Sequence, residues 1–154
     1  GDAMAGRVRF LDESHSVIFT DKGIQFFSTR VETSPELVSQ IPIEENIRSI
    51  TYAQDKVGIV TDNVEGGDPY RLRIYDREGS PVFEKTFNYQ YTGFDIDGDL
   101  VLLYNDSSCK VYNMTGTEKY NGTFDFTVSK VSAGRFPGTL LVMGPQKMTE
   151  IKLQ

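Results

Sequence analysis

One short pattern occurs twice in the sequence, and this repeat limits the possible folds more than any other feature. The segment RLRIYDREGSPVFEKTF, residues 71–87, is similar to CKVYNMTGTEKYNGTF, residues 109–124. In both, strand-like residues lead to a Tyr, a carboxylate or amide, two variable residues, a Gly and a second strand-like segment. Tyr75 and Tyr112 are 37 positions apart, and the two glycines are separated by the same distance. We therefore expect one structural unit to occur more than once in the fold.

Short segments with alternating apolar and polar residues recur along the whole chain, and they predict β-strands. Many of these residues are β-branched or aromatic, and Gly, Asp and Asn separate the segments. The only candidate for a turn of helix is TSPELVSQ, which is short. Laid out in phase, the segments form four units. The second strand of each unit is the most apolar, as expected for a strand buried on both faces; these strands are SVIFTD, KVGIVTD, DLVLLYND and TLLVMG.

The spacing of the units predicts an all-β fold of four consecutive β-propeller-type blades. Ile18, Ile59, Leu102 and Leu141 anchor the second strands and are separated by 41, 43 and 39 residues, which is the period of a four-stranded propeller blade. After an expression remnant or linker at 1–5, we expect a single domain at 6–154, with blades at approximately 6–45, 46–88, 89–127 and 128–154. The last blade lacks an outer strand, so we expect part of a larger propeller whose terminal blades favour self-association.

The repeated glycines have a predicted place in this architecture. Gly79 and Gly116 lie between the third and fourth strands of consecutive blades, where a tight turn requires positive φ.

Composition excludes several classes of function. The 16 Lys and Arg are outnumbered by 22 Asp and Glu, for a net charge of −6, and without a basic stripe a nucleic-acid partner is not expected. One His and one Cys make a zinc site improbable. Cys109 has no partner for an internal disulfide, and its strand position predicts a small buried hydrophobic residue. His15 lies in a polar turn without a nucleophile motif, so we assign no catalytic residue, metal ligand or cofactor.

Two strand ends resemble a known repeat. LRIYD and CKVYN are similar to the aromatic–Asp pair that ends the third strand of WD40 and related bacterial propeller repeats, although Tyr replaces Trp and the Gly-His pair at the blade start is absent. As a whole, the chain resembles a Firmicutes family of membrane-anchored, propeller-like extracytoplasmic proteins. This resemblance implies a bacterial cell-envelope location, membrane contact only through an anchor outside this chain, and no assigned activity.

Three further segments contain candidate site residues. In FDIDGDLVLLYN, Asp95, Asp97 and Asp99 alternate, which would place three carboxylates on one face. Counted from Asp95, Gly98 falls at position 4 and Asp106 at position 12, whereas an EF-hand loop requires Gly at 6 and Glu at 12. DG between two strands instead predicts a hairpin turn; adventitious cation binding is the alternative.

The Gly-rich segment NVEGGDPY is followed by a strand rather than the helix that a phosphate loop requires. It predicts a long, mobile hairpin, and Glu65, Asp68 and Tyr70 are its candidate partner-binding residues. In FNYQYTGF, period-two spacing places Tyr89 and Tyr91 on one face with Phe87. They form either an aromatic platform for sugars or, as is commoner, packing within the core.

Two functional hypotheses follow. The first is a non-catalytic extracytoplasmic interaction or scaffold module that binds protein or glycan through loops on one rim. The alternative is an enzyme with an active site in a central channel, completed by blades that are not present in this chain. In that case the polar side chains of the inner strands, Arg48, Asp95, Asp97 and Lys130, would line the site.

Overall fold

Residues 8–29 and 34–154 are described by a computed structural model. All regular structure in these residues is β-strand, in four antiparallel sheets. The chain divides into two compact units, Gly1–Phe87 and Asn88–Gln154, with two sheets in each. The predicted remnant at 1–5 lies outside the described residues.

The first unit contains two four-stranded sheets in which every strand pairs with the next one along the chain. The first sheet consists of β1 (Val8–Phe10), β2 (His15–Thr20), β3 (Gly23–Ser28) and β4 (Glu36–Pro42). The second consists of β5 (Ile47–Tyr52), β6 (Lys56–Asp62), β7 (Tyr70–Asp76) and β8 (Pro81–Phe87). The helix candidate TSPELVSQ therefore contributes to a strand, β4.

The second unit repeats this arrangement with one strand fewer. Its first sheet consists of β9 (Gly93–Asp97), β10 (Leu100–Tyr104), β11 (Ser108–Asn113) and β12 (Glu118–Thr123). Its second consists of β13 (Lys130–Ala133), β14 (Thr139–Met143) and β15 (Met148–Lys152). The predicted all-β fold of four consecutive propeller-type blades is confirmed.

Each unit has a core formed by two facing sheets. In the first unit Val17 and Phe26 of one sheet share a cluster with Val57 and Ile59 of the other, and all four are fully buried. In the second unit the cluster contains buried residues of both sheets: Leu102, Cys109, Val111, Val131, Leu140 and Val142. Strand alternation explains this pattern, because every second side chain points toward the facing sheet.

We expected the second strand of each blade to be buried on both faces. This is correct for only two of the four blades. Residues 57–61 of β6 and 100–103 of β10 are buried without interruption. In β14 only Leu140 and Val142 are buried, and in β2 Ile18 stays partly exposed. The outer face of the first sheet also exposes Phe10, at 64%. In the first and fourth blades, several apolar residues of the second strand therefore stay partly exposed.

The repeated Tyr-Asp and Tyr-Asn pairs end in turns of the same construction. Asp76 Oδ1 accepts hydrogen bonds from the backbone N–H groups of Glu78 and Ser80, both at 2.9 Å. Asn113 Oδ1 accepts the equivalent bonds from Thr115 at 3.1 Å and from Thr117 at 2.9 Å. Each turn uses only a side-chain oxygen as a hydrogen-bond acceptor, so the carboxylate of Asp and the amide of Asn can both form it.

The glycines of both turns adopt the predicted positive φ, +86° for Gly79 and +82° for Gly116. A Cβ on Gly79 would also meet the Ser39 hydroxyl and the Phe26 ring of the neighbouring sheet. Ser39 Oγ donates a hydrogen bond to the Glu78 carbonyl at 3.0 Å. The second blade's turn is therefore a packing contact between blades as well as a chain reversal.

We predict that Gly79→Ala destabilises the protein more than Gly67→Ala. Gly67 has a similar φ of +82°, but nothing lies within 4 Å of a Cβ built there. Gly67→Ala should cost about 1 kcal/mol through backbone strain alone. Gly79→Ala should cost about 2–4 kcal/mol, because overpacking against the first sheet adds to the same strain. Urea unfolding of both variants measures the difference, and equal losses would contradict a blade-to-blade role for this turn.

Candidate functional site

A cleft of about 500 Å³ lies at the end of the second unit's sheets where three features meet: the β9–β10 turn, the β13–β14 turn and the end of β15. Its size is in the range of ligand-binding pockets. Side chains of both charge signs and one aromatic ring line it, namely Asp97, Asp99, Lys119, Arg135 and Phe136.

Hydrogen bonds from backbone N–H groups and from one side-chain hydroxyl hold the β13–β14 turn in place on one side of this cleft. Gly134 N–H donates to Thr139 O at 2.9 Å, and Thr139 Oγ1 donates to Phe136 O at 2.6 Å. Leu153 N–H donates to Gly138 O at 2.8 Å. This turn presents Phe136, which is 63% exposed, with the Arg135 guanidinium 5.9 Å from its ring centroid. An exposed cation–aromatic pair is therefore available for contacts outside the chain.

We did not predict Arg135, Phe136 or Lys119 as site residues from the sequence. Arg135 and Phe136 lie in GRFPG, where Gly and Pro predict a turn and the exposed Arg-Phe pair within it was the available signal. Lys119 gives no local signal, because it reaches the cleft only through the pairing of β12 with β11.

The aspartates of FDIDGD have different roles. Ala133 N–H donates to Asp97 Oδ2 at 2.8 Å, so this carboxylate joins the inner strands β9 and β13. Asp99 lies with Gly98 in the turn between β9 and β10, and Gly98 has a φ of +62°. The hairpin turn is confirmed. The expectation that all three aspartates share a strand face is wrong, because Asp99 is outside the strands. Within the described residues no group of three or more His, Cys, Asp or Glu could hold a metal ion.

The predicted partner loop between β6 and β7 is organised around one amide side chain. Asn63 Nδ2 donates to the carbonyls of Gly66 at 3.2 Å and Asp68 at 2.8 Å. Asn63 Oδ1 accepts from Arg71 Nη2 at 3.1 Å. Gly66 and Gly67 both have positive φ. A hydrogen-bonded loop of this kind is better described as an ordered hairpin extension than as a simple flexible linker.

The three candidate binding residues of this loop all have contacts within the chain. Glu65 Oε2 lies 2.8 Å from Arg71 Nη2, and Asp68 Oδ2 accepts a hydrogen bond from Thr86 at 3.0 Å. The Tyr70 ring is 5.4 Å from the ring of Phe87. Their role in binding a partner stays a prediction, and a partner would have to compete with these contacts.

A second arginine of the same blade, Arg73, links two parts of the first unit. Its side chain is 12% exposed, and its Nη2 lies 2.9 Å from Glu45 Oε2. Its Nε is 3.1 Å from Glu84 Oε1, within ion-pair distance but without hydrogen-bond geometry. Burial opposes ionisation of Glu45, yet a backbone hydrogen bond and the charge of Arg73 hold the pKa of this carboxyl below its usual value. These contacts give Arg73 a structural role.

The proposed aromatic platform lacks the strand on which it was predicted. Tyr89 and Tyr91 lie in the segment between β8 and β9, which is not a strand, so period-two alternation does not align them. The Tyr89 hydroxyl is 2.7 Å from Ser108 Oγ, and burial raises the pKa of Tyr89. The Tyr91 ring packs edge-on against Phe94 with centroids 6.4 Å apart. A sugar-binding role for these rings stays a prediction, and strand alternation does not support it.

His15 takes part in a turn and not in a nucleophilic relay. Asp12 Oδ1 and Ser14 Oγ both contact the same ring nitrogen, Nδ1, at 2.9 and 3.0 Å. A Ser-His-Asp relay requires the acid and the nucleophile on different ring nitrogens. Arg77 of the second blade adds an ion pair to Asp12 at 2.7 Å. The cluster therefore fastens the second blade's turn to the first blade.

Asp12 should make stability of the first unit dependent on acid pH. Partial burial opposes its ionisation, but hydrogen bonds from the Ser14 N–H, His15 and Arg77 outweigh this effect and lower the pKa of Asp12. A carboxyl whose folded pKa is depressed stabilises the fold above its unfolded pKa of about 4, and this contribution is lost as pH falls through the folded pKa. We predict that Asp12→Asn lowers the free energy of unfolding at pH 7 and weakens its decline below about pH 4. Urea unfolding across pH 2–7 tests this, and parallel curves would contradict it.

The predicted burial of Cys109 is confirmed. Its side chain is fully buried in the core of the second unit, and burial raises the pKa of Cys109 to about 12.

We predict that the Cys109 thiol does not react with a disulfide reagent in the native protein at pH 8. The thiolate is the reactive form, and both its population and its access are suppressed by burial. Labelling should start only in denaturant, with the same midpoint as unfolding of the second unit followed by circular dichroism. Rapid labelling without denaturant would show that this core opens readily.

The polar inner-strand residues of the enzyme hypothesis belong to different units. Arg48 lies in the first unit, where its Nε is 2.7 Å from Asp62 Oδ1. Asp95, Asp97 and Lys130 lie in the second unit, and Asp97 is engaged with Ala133 as described above. The enzyme hypothesis stays untested.

One family model matches the sequence over residues 1–153. The chain belongs to DUF5711, a family of unknown function. No curated protein matches this DUF5711 chain. No helix in its described residues is long and apolar enough to cross a membrane.

Solved propeller structures resemble the DUF5711 chain at low sequence identity. The WD40 beta propeller domain of Doa1 aligns at 13% identity and a TM-score of 0.55, covering 98% of this chain and 52% of that one. The computationally designed Ika4 protein aligns at 10% identity and 0.57, covering 100% and 94%. Kluyveromyces lactis Hsv2 aligns at 10% identity and 0.55, covering 99% and 47%. This similarity shows a propeller fold, and the chain spans about half the length of the Doa1 and Hsv2 chains.

Proposed function

We propose that this chain is a non-catalytic interaction module that binds a segment of a partner protein in the cleft of the second unit. The observation that carries the proposal is the exposed Arg135–Phe136 pair, which lines that cleft together with the acidic Asp99. Arginine and exposed aromatic residues are the side chains enriched where proteins bind one another.

The charges in the cleft favour a polypeptide over the glycan that the sequence analysis also allowed. Lys119 and Arg135 are cations, whereas Asp97 and Asp99 are anions. A peptide offers carboxylates for the cations, ammonium or guanidinium groups for the anions, and apolar side chains for Phe136. A neutral glycan would leave these charges without counterparts, which costs affinity when a site is desolvated.

The location of the protein is part of the proposal. We place it outside the cytoplasm in a bacterial cell envelope, on the resemblance to membrane-anchored propeller-like proteins of Firmicutes. The fully buried Cys109 is compatible with an oxidising compartment, because it is inaccessible to intermolecular disulfide exchange. Self-association through the terminal blades stays a prediction, and the exposed Phe10 and Leu37 of the first sheet are its physical support.

Selection of peptides from a random 12-residue display library tests the cleft. We predict that selected peptides carry an acidic and a basic residue at a constant spacing, because the cleft contains both charge signs. Arg135→Glu should weaken their binding about tenfold or more, and Phe136→Ala about three- to tenfold, by isothermal titration calorimetry.

The matched control is Lys22→Glu, which makes the same kind of charge reversal at an exposed turn of the first unit and should change affinity less than about twofold. Thermal unfolding of each variant checks that the fold is retained. Unchanged affinity in both cleft variants would refute the proposed site. Binding of soluble cell-wall glycans that Arg135→Glu abolishes would refute the polypeptide as the ligand.

A further inference from the structure

The loop between β6 and β7 contains an Asp-Pro bond, which is the most acid-labile type of peptide bond. Asp68 is followed by Pro69, and the sequence contains no other Asp-Pro pair. Proline forms a tertiary amide, whose nitrogen takes up a proton and leaves as a secondary amine more readily than an ordinary amide nitrogen. The same nitrogen has no hydrogen, so the Asp68 side chain cannot form a neutral cyclic imide with it. The reaction open to the carboxylate is attack on the carbonyl carbon of its own residue.

Asn63 holds the carbonyl group of this bond. Its Nδ2 donates a hydrogen bond to Asp68 O at 2.8 Å, and its backbone N–H donates to Pro69 O at 2.9 Å. A donor on a carbonyl oxygen makes the carbonyl carbon more electrophilic and stabilises the negative charge that develops on that oxygen during attack. Asn63 therefore fixes two consecutive peptide groups and polarises the one that would break.

Other contacts fix the orientation of the Asn63 amide. Its Oδ1 accepts hydrogen bonds from Arg71 Nη2 at 3.1 Å and from the Glu65 N–H at 3.4 Å. Because the amide oxygen faces these donors, the amide nitrogen faces the carbonyls of Gly66 and Asp68. The donor is thus in place before any reaction, as stabilisation of a developing charge requires.

The Asp68 carboxylate is held through one of its two oxygens. Oδ2 accepts a hydrogen bond from Thr86 Oγ1 at 3.0 Å. In the described part of the chain no hydrogen bond reaches Oδ1, so this oxygen is available for attack. The nucleophile and the carbonyl carbon belong to the same residue, and both groups are anchored to neighbouring side chains, which limits the motion needed to bring them together.

Solvent and the neighbouring charges determine the pH at which the bond breaks. Pro69 is exposed, so its nitrogen takes a proton from water, and this step becomes faster in acid. The charged side chains beside the loop are paired: Arg71 lies 2.8 Å from Glu65 and 3.4 Å from Glu84. Lys85 is on the other face of β8. Since the attacking group is an ionised carboxylate, and aspartates generally ionise near pH 4, the reaction is favoured in mild acid.

We propose that the chain cleaves itself at the Asp68–Pro69 bond in mild acid. One oxygen of the Asp68 carboxylate forms a C–O bond to the carbonyl carbon of the same residue. The C–N bond breaks, and its electron pair and a proton from water go to the Pro69 nitrogen, which leaves as a secondary amine. One water molecule then opens the five-membered anhydride to two carboxyl groups. The sum is hydrolysis of one peptide bond, and it requires neither the cleft nor a ligand.

The cut leaves the second blade assembled. β6 and β7 flank the loop and pair with each other along their whole lengths, Lys56–Asp62 with Tyr70–Asp76. The pieces 1–68 and 69–154 are therefore held in one sheet after cleavage. Self-cleavage thus converts a closed, hydrogen-bonded loop into two free chain ends and keeps the core of the blade.

The test compares two Asp-Pro bonds in one molecule. Ser34→Asp creates a second such bond before Pro35, where both residues are exposed and no hydrogen bond from the described residues reaches the carbonyl of residue 34. The full chain is incubated at about pH 4.5 and about pH 7.5, folded or in denaturing urea, and the fragments are quantified by mass spectrometry. Circular dichroism confirms that the protein without urea is folded at both pH values.

In the folded protein at the lower pH, we expect the 68–69 bond to break about tenfold or more faster than the introduced bond, because only the former has a donor on its carbonyl. At the higher pH its cleavage should be at least about tenfold slower, since protonation of the nitrogen is rarer. In urea the two bonds should break at rates within about twofold of each other, because the loop geometry is lost.

Three variants separate the role of the Asn63 amide from a general loosening of the loop. Asn63→Ala removes the donor and should slow cleavage about tenfold, to the rate in urea. Glu65→Ala removes an exposed ion pair of the same loop without touching the carbonyl, so it should stay within about twofold of the parent rate. Asp68→Ala removes the nucleophile and should abolish cleavage.

Three results would overturn the proposal. Equal rates for the two bonds in the folded protein would show that the loop geometry contributes nothing to cleavage. Cleavage that persists in Asp68→Ala would show that the side chain is not the nucleophile and that a contaminating protease cuts the loop. An unchanged rate in Asn63→Ala would show that the carbonyl is not activated by this amide.

Discussion

Face-to-face packing of consecutive sheets is the interaction on which this fold depends. A single four-stranded sheet cannot bury its own apolar face, so Val17 and Phe26 are shielded from water only because Val57 and Ile59 of the next sheet cover them. Each such side chain contributes roughly 1.5–3 kcal/mol when buried, whereas a strand hydrogen bond contributes about 1 kcal/mol net. Blades therefore require neighbours. The same reason makes the contact of Gly79 with Phe26 and Ser39 significant, since it fixes how closely two sheets can approach.

Strands and turns were predictable because their signals are local. The predicted segments YRLRIYD and PVFEKTF coincide with β7 and β8, and Gly79 has the predicted φ. The placement of Tyr89 and Tyr91 on one strand face was wrong, because alternation over five residues does not distinguish a strand from an extended connection. Their role in binding stays a prediction. The cleft was not predictable, because residues from three different hairpins form it. Its composition depends on sheet geometry, which a linear pattern does not contain.

Many polar residues that first suggest chemistry are used to satisfy the backbone. Asp76, Asn113, Asn63 and Asp97 each exchange hydrogen bonds between their side chains and main-chain groups in turns or between strands. Asp12 does the same and adds an ion pair to Arg77. The fifteen strands of the described residues require many chain reversals. Each reversal leaves backbone N–H groups from which Asp and Asn side chains readily accept hydrogen bonds. The same residue types supply metal ligands and general acids, so sequence alone could not separate the two uses.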